Sequence, residues 1–278
     1  MRVSAVQMNA GADKADNIAQ ARRLIDAAVT ADRPDIVSLP EVWSCMGGDR
    51  DGKFRQAEDL PPPGSNTPGG EAYEFLRATA REKQIHVHGG SIGEKGGDRL
   101  FNTTVVFDPT GAEIARYRKI HLFDITTPEG LVFGESRSYA PGNEVVTYQA
   151  GGVTVGCAIC YDVRFPELFL KLRQAGAELI FLPSAFTLQT GKDHWEVLIR
   201  ARAIETQCWI AAPAMSGPHV EGNGETRHTF GHSLIANPWG HIVAMASDGP
   251  GWCTSSIDPA MTARVRRDMP VLAQRKLA

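Results

Sequence analysis

No hydrophobic run in this chain approaches the roughly 18 residues that cross a bilayer, because glycine, proline or a charged residue interrupts each one. A helical membrane protein is thereby excluded. A positive surplus is missing too: 29 Lys+Arg against 32 Asp+Glu leave a net charge of -3, so no chain-wide field is available to hold nucleic acid or an anionic membrane. The expected partner is a small molecule. Five cysteines in 278 residues are too few, and odd in number, for a disulfide framework. The opening Met1-Arg-Val-Ser-Ala-Val run is too short for a signal-peptide core. Both facts point to a reducing cytoplasm. The phosphate-loop and dinucleotide-loop glycine patterns are absent.

What is present is 42% hydrophobic residues, enough for one domain with a large core and no need of disulfide or metal staples. We expect residues 1–278 to form a single domain. Val3 to Gln7 alternates as a strand does, and Asp13 or Asp16 then opens a helix with Ile18, Ala21, Leu24, Ile25 and Ala28 on one face. Ile36 to Pro40 reads as a strand ending at Glu41, the Gly/Pro/Asp-rich stretch 47–70 as a long surface loop, and Glu71 to Lys83 as a helix. Strand-like runs follow at 85–92 and 102–107, and a turn at Asp108-Pro-Thr-Gly111 leads into 113–122. The second half repeats the alternation with a strand ending at Cys160, a helix from about Pro166 to Ala175, a strand over 178–183 and a helix over about 193–205. Strands at 208–212, 231–236, 241–245 and 251–257 complete the reading. Helices, strands and interleaved hairpins in this order predict layered α/β architecture with mixed sheets, not a purely parallel sheet or a closed barrel.

Cys160 is the residue best placed for chemistry. It closes the apolar run Val153-Thr-Val-Gly-Cys-Ala-Ile-Cys160 and is followed by Tyr161-Asp-Val-Arg-Phe-Pro166-Glu167, a helix-opening sequence. A thiol at a strand-to-helix junction is lifted clear of the sheet, beside free backbone N–H groups that lower its pKa and hold an oxyanion. Cys157 and Cys160 have the spacing of a redox pair, but Ala158 and Ile159 continue the strand, where residues three apart point to opposite faces. His86-Val-His88 alone is a weak metal set with no second cysteine pair to join it. Cys45, Cys157, Cys208 and Cys253 are read as small buried hydrophobes. Glu41 and Lys119 also end or interrupt strands, and strand ends in layered α/β folds converge on a common crevice. Taken singly, each is explained as well by a solvated loop or strand face.

Leu39-Pro-Glu41, Tyr117-Arg-Lys119-Ile-His-Leu and Cys160-Tyr-Asp-Val-Arg-Phe-Pro-Glu167 together resemble the ordered motifs of the nitrilase superfamily of carbon–nitrogen hydrolases, and the resemblance extends over nearly the whole chain. It implies a four-layer α-β-β-α sandwich and a Glu41, Lys119, Cys160 triad that works through a thioester, with no cofactor and no metal. It further implies oxyanion donors at Lys119 and the Tyr161 backbone N–H, a supporting glutamate at Glu135, and a homodimer or higher homo-oligomer built on the helices near Pro166 and Asp193. Asp162, Arg164 and Glu167 are expected to form a salt-bridged collar that fixes the elbow. Pro183-Ser-Ala-Phe186, Lys192-Asp-His-Trp-Glu196 and Arg200-Ala-Arg-Ala-Ile-Glu-Thr-Gln-Cys208 look most like the Nit-type amidases. The last of these leans toward the branch that hydrolyses deaminated glutathione rather than toward ω-amidases acting on 2-oxoglutaramate. Another aliphatic or N-carbamoyl amide, or a catalytically silent scaffold, is the alternative reading. Either Nit-type substrate is an anion, so Arg164, Lys192, Arg202, Arg227 and His228 are candidate carboxylate contacts. The Gly-rich polar stretch 217–228 is a candidate specificity loop.

Overall fold

The computed structural model describes residues 1–65, 67–127, 130 and 132–276. Asn66 of the expected 47–70 loop and the last two residues of the expected domain lie outside them. The first half contributes β1 (Arg2–Gln7), α1 (Lys14–Asp32), β2 (Ile36–Ser38), α2 (Arg50–Gln56), α3 (Glu71–Lys83), β3 (His86–His88), β4 (Ile92–Lys95), β5 (Leu100–Phe107), β6 (Glu113–Arg118), β7 (Asp124–Thr126) and β8 (Val132–Gly134). The second contributes β9 (Thr147–Ala150), β10 (Val153–Cys157), α4 (Pro166–Gln174), β11 (Leu179–Phe181), α5 (Leu188–Thr206), β12 (Trp209–Ala212), β13 (Ser216–Val220), β14 (Thr226–Phe230), β15 (Leu234–Ala236), β16 (Ile242–Met245), β17 (Gly251–Ser256) and α6 (Pro259–Asp268).

One sheet runs β17-β1-β2-β3-β5-β4 with β6 also paired to β5, and the other runs β16-β15-β12-β11-β10-β9. Each has a parallel centre, β1/β2/β3 or β10/β11/β12, with antiparallel strands outside it. Alternation along the strands then decides the layers. Val3 and Ala5 of β1 join the apolar cluster between the sheets, whereas Val6 joins the cluster under α1 and α3; Ile36 and Val37 divide in the same way. α4 and α5 cover the second sheet, packing on β10, β12 and β15. The result is the α-β-β-α sandwich that the motif resemblance implies.

Local chemistry sets the helix ends. The Asp13 carboxylate accepts from Asp16 N and caps α1, whose Ala21, Leu24, Ile25 and Ala28 are buried as their spacing predicts. α4 opens on Pro166, where the missing N–H would have had no helical partner. Elsewhere the structure corrects the sequence reading. The 47–70 stretch contains α2, capped by Asp49. The 85–92 run breaks at Gly90, whose φ of +62° ends β3 before β4 begins. α5 starts at Leu188, about a turn before the expected Asp193, because Thr187 caps it. The 217–228 stretch is no loop: its ends pair as the β13/β14 hairpin in the register Ser216 to Phe230 and Val220 to Thr226. The sequence pattern gives no warning of α6, a polar helix that buries only Thr262 and Val265. Among the described residues, no helix is long and apolar enough to cross a membrane.

Candidate active site

Glu41, Lys119 and Cys160 each lie just past the carboxyl end of a strand, β2, β6 and β10 respectively, and all three line one cavity of about 360 Å³. Crevices at strand carboxyl ends are where open α/β sheets bind ligands. Glu41 enters on a sharp turn: Ser91 N donates to Pro40 O at 3.1 Å, and Val42 N to Ser91 Oγ at 2.9 Å. Val42 has φ +43°, a costly conformation for a β-branched residue. Gly90 passes so close that a Cβ there would lie 2.2 Å from Pro40 O. Glu41 is left 5% exposed. Its Oε1 accepts from Lys119 Nζ at 2.8 Å and Asn102 Nδ2 at 2.9 Å, and its Oε2 accepts from Ala185 N at 2.9 Å.

Lys119 extends the β5/β6 ladder by donating its backbone N–H to Asn102 O at 2.9 Å. Its ammonium also donates to Glu135 Oε2 at 2.8 Å and Oε1 at 3.1 Å. Glu135 is held in turn by Phe123 N, which donates to Oε2 at 2.6 Å. Burial opposes the charge on Lys119, but Glu135 and Glu41 outweigh it and keep the ammonium well above the usual lysine pKa. Asn102 Nδ2 donates to Glu135 Oε1 as well, at 3.2 Å, so one amide bridges both glutamates.

The Cys160 corner differs from expectation in two respects, the end of its strand and the direction of its thiol pKa. β10 ends at Cys157 rather than Cys160, yet the chain stays extended, with Ala158 N donating to Phe181 O at 3.1 Å and Cys160 N to Pro183 O at 2.9 Å. Cys160 then turns to φ +45° and opens the 3-10 turn Cys160–Arg164, with Tyr161 as its second residue. A non-glycine residue held at positive φ is a strained corner. Burial drives the Cys160 thiol well above its ordinary pKa, the Glu41 carboxylate pushes the same way, and Lys119 opposes both. At neutral pH the group is a thiol facing a base, not a thiolate. Cys157 is fully buried, and burial raises its thiol too.

The expected collar is corrected. Asp162 is fully buried and accepts from Ile159 N at 2.8 Å, Tyr117 Oη at 2.7 Å, His121 N at 3.0 Å and His121 Nδ1 at 2.7 Å. It ties the elbow to the segment carrying Lys119, not to Arg164 or Glu167. These donors satisfy the carboxylate without desolvating a guanidinium. Arg164 instead lies over the rings of Tyr161 and Phe186, at 5.8 and 5.6 Å, and lines the cavity. Among the other candidate carboxylate contacts, Arg227 and His228 also line it, whereas Lys192 does not. Arg202 is spent behind the elbow, donating to Val163 O at 2.6 Å and Glu205 Oε1 at 2.5 Å. Sequence reasoning misses Asn102 and Ala185 N. Asn102 sits within an ordinary strand, β5, and a backbone amide leaves no mark in a sequence.

Sandwich and crevice together define the class. The carbon-nitrogen hydrolase family model matches residues 2–267, and the chain belongs to that family. It is 38% identical to a deaminated glutathione amidase from Synechocystis, covering 98% of this chain and 97% of that protein. It is 36% identical to the human omega-amidase NIT2, over 99% of this chain and 95% of the relative. Saccharomyces cerevisiae Nit3, a member of branch 10 of the nitrilase superfamily, superposes with a TM-score of 0.86 at 30% identity, over 100% of this chain and 97% of that one.

Proposed function

We propose that the protein is an amidase that hydrolyses a small carboxylated amide through a Cys160 thioester, with deaminated glutathione as the leading substrate. The single observation that carries this is the meeting of Glu41, Lys119 and the Cys160 thiol in one buried corner of an open cavity. The two amidases it resembles, acting by name on deaminated glutathione and as an omega-amidase, bound the substrate class. An omega-amide such as 2-oxoglutaramate is the second reading, favoured by the human relative.

In this mechanism Glu41 accepts the thiol proton as Cys160 Sγ attacks the amide carbon, then delivers it to the departing nitrogen. The C–N bond breaks, an amine leaves and a thioester remains. A water deprotonated by Glu41 adds to the thioester; the C–S bond breaks, the thiol recovers its proton and a carboxylic acid departs. Each tetrahedral intermediate carries an oxyanion, taken by the Tyr161 N–H and by Lys119, and a donor of this kind typically contributes roughly 3 to 4 kcal/mol. Of the Lys119 bonds, the longer one to Glu135 Oε1 at 3.1 Å is the one that turns to the oxyanion. Glu135 keeps the ammonium aimed. Arg164 supplies charge for a substrate carboxylate.

The same reading takes the whole chain as one hydrolase domain working in the cytoplasm as a homodimer, with α4 and α5 at the interface. The test of the chemistry is the mass of intact protein after brief exposure to deaminated glutathione. An acyl adduct on Cys160 that vanishes, together with turnover, in Cys160→Ala is expected. Turnover retained by Cys160→Ala or Cys160→Ser, with no adduct on the wild type, overturns the mechanism.

A further inference from the structure

An aromatic row in the cavity carries a cation at each end. Tyr161, Phe123 and Phe133 follow one another with ring centroids 5.1 Å apart at each step. Arg164 lies over Tyr161 at one end, and Arg227, from β14, lies 4.7 Å over Phe133 at the other. Both guanidinium groups line the same cavity. The thiol belongs to the first end, since Cys160 immediately precedes Tyr161. Glu135 belongs to the second: it follows Phe133 by two residues and accepts from the Phe123 N–H at the middle of the row.

Charge around Arg227 is unbalanced. Glu221 Oε1 lies 3.8 Å from Arg227 Nε, and Glu221 Oε2 lies 3.9 Å from Lys53 Nζ, so one carboxylate is shared loosely by two cations. Arg137 lines this part of the cavity as well. Among the described residues lining this cavity, Lys53, Arg137 and Arg227 outnumber Glu221, the one carboxylate paired with any of them.

We propose that Arg227 binds a carboxylate on the amine half of the substrate, so that the cavity takes an amide with an acid group on each side of its scissile bond. The inference rests on the amidase reading and selects within it a peptide-like leaving amine over ammonia. The proposed pose puts the carbonyl carbon at Cys160 Sγ with the acyl chain toward Arg164, which lies over the adjoining Tyr161 ring. The nitrogen then faces Glu41, which returns the proton and shares the Lys119 ammonium with Glu135, and the amine half runs on toward Phe133 and Arg227. The Arg227 side chain is 43% exposed and stacked on a ring, so its planar fork is already ordered for a bidentate carboxylate. A merely solvated arginine would give no preference between an acid and its amide at that place.

The test uses two substrates that differ at one group: deaminated glutathione, and the same compound with its glycine carboxylate converted to a carboxamide. The wild type is expected to favour the acid by about 10- to 100-fold in kcat/KM, expressed in KM, as a charge-assisted pair of this kind gives. Arg227→Gln should bring the ratio to within about threefold of unity, and Arg227→Lys should keep part of it, because an ammonium supplies charge without the fork. Added salt should narrow the wild-type ratio. A wild type that turns over both compounds equally, or an Arg227→Gln variant that keeps the wild-type ratio, overturns the Arg227 assignment and leaves the amidase reading standing. A wild type that hydrolyses neither compound but turns over 2-oxoglutaramate overturns the Arg227 assignment alone, and one that acts on none of the three and forms no Cys160 adduct overturns both.

Discussion

Asn102 holds two carboxylates with one amide while a single ammonium sits between them. Its Nδ2 donates to Glu41 Oε1 at 2.9 Å and to Glu135 Oε1 at 3.2 Å, and its backbone oxygen accepts from Lys119 N at 2.9 Å. Asn102→Ala removes two hydrogen bonds to charged groups, each worth roughly 1.5 to 3 kcal/mol. Only the part that keeps Glu41 aimed at the thiol falls on the transition state. The expected result is a loss of about 10- to 100-fold in kcat with KM held within about threefold, the signature of an interaction that matters to the reacting geometry. Asn102→Asp is the sharper perturbation, since it brings a third carboxylate to the same ammonium. Two unit charges about 4 Å apart at an effective dielectric of about 20 repel by about 4 kcal/mol, so one of the three carboxylates keeps a proton near neutral pH. Whenever Glu41 holds that proton the base is gone, and raising the pH restores it. The acid limb of kcat/KM should therefore move up by about one pH unit or more in Asn102→Asp. Release of the 2-oxo acid, followed by a coupled dehydrogenase across the pH range, reads both effects. An Asn102→Ala variant of wild-type kcat, with an unshifted acid limb in Asn102→Asp, would refute the reasoning.

Gly90→Ala places a Cβ 2.2 Å from Pro40 O at a φ of +62°; backbone cannot yield as a side chain can, so about 2 to 3 kcal/mol of stability should go and kcat should fall with it. Urea unfolding and turnover check this, and a stable, fully active variant contradicts it. Lys119→Arg should be nearly inactive although charge is kept, because a planar guanidinium cannot fill the place of an ammonium bonded at 2.8 Å to both Glu41 and Glu135; activity above about a tenth of wild type would count against that geometry. His88, fully buried against Ser38 Oγ and the Phe181 ring, has its pKa lowered by burial from 6.5 to about 3. The unfolded chain then binds the extra proton between those values, and stability falls as the pH drops through 6.5 toward 3. This one group should remove about 2 kcal/mol between pH 7.5 and pH 5, a difference that His88→Gln erases. An unchanged difference between unfolding free energies at the two pH values would exclude His88 as the cause.

Which parts of the site are legible in the sequence follows from how local their causes are. Cys160 announces itself because an apolar strand and a helix-opening segment adjoin it. Glu41 and Lys119 have no such local signature, and only their order with Cys160 singles them out. Ala185 N reaches Glu41 across 144 residues of chain, and Asn102 does its work from within an ordinary strand, so neither has a neighbourhood that betrays it. The Asp162 collar is misread because sequence offers Arg164 and Glu167 as nearby charges, whereas the buried carboxylate takes the Tyr117 hydroxyl and the backbone N–H groups of His121 and Ile159. The β13/β14 hairpin reads as a loop because Thr226, Arg227 and His228 are all exposed and show no inward alternation. Layered α/β architecture with mixed sheets is legible because strand period and helix period are properties of short segments, whereas the number of layers is carried only by the motif resemblance.

Asp162 has a consequence for how the enzyme ages under stress. Its two oxygens span the interior, accepting from the elbow after β10 in one sheet and from Tyr117 and His121, on and just beyond β6, in the other. The relative seating of the sheets is thereby written into the distance between the Cys160 thiol and the Lys119 ammonium. A slip too small to expose the core, and invisible to any probe of helix or strand content, is enough to part them. On warming, turnover should fade while the sandwich is still closed, and cooling should bring it back.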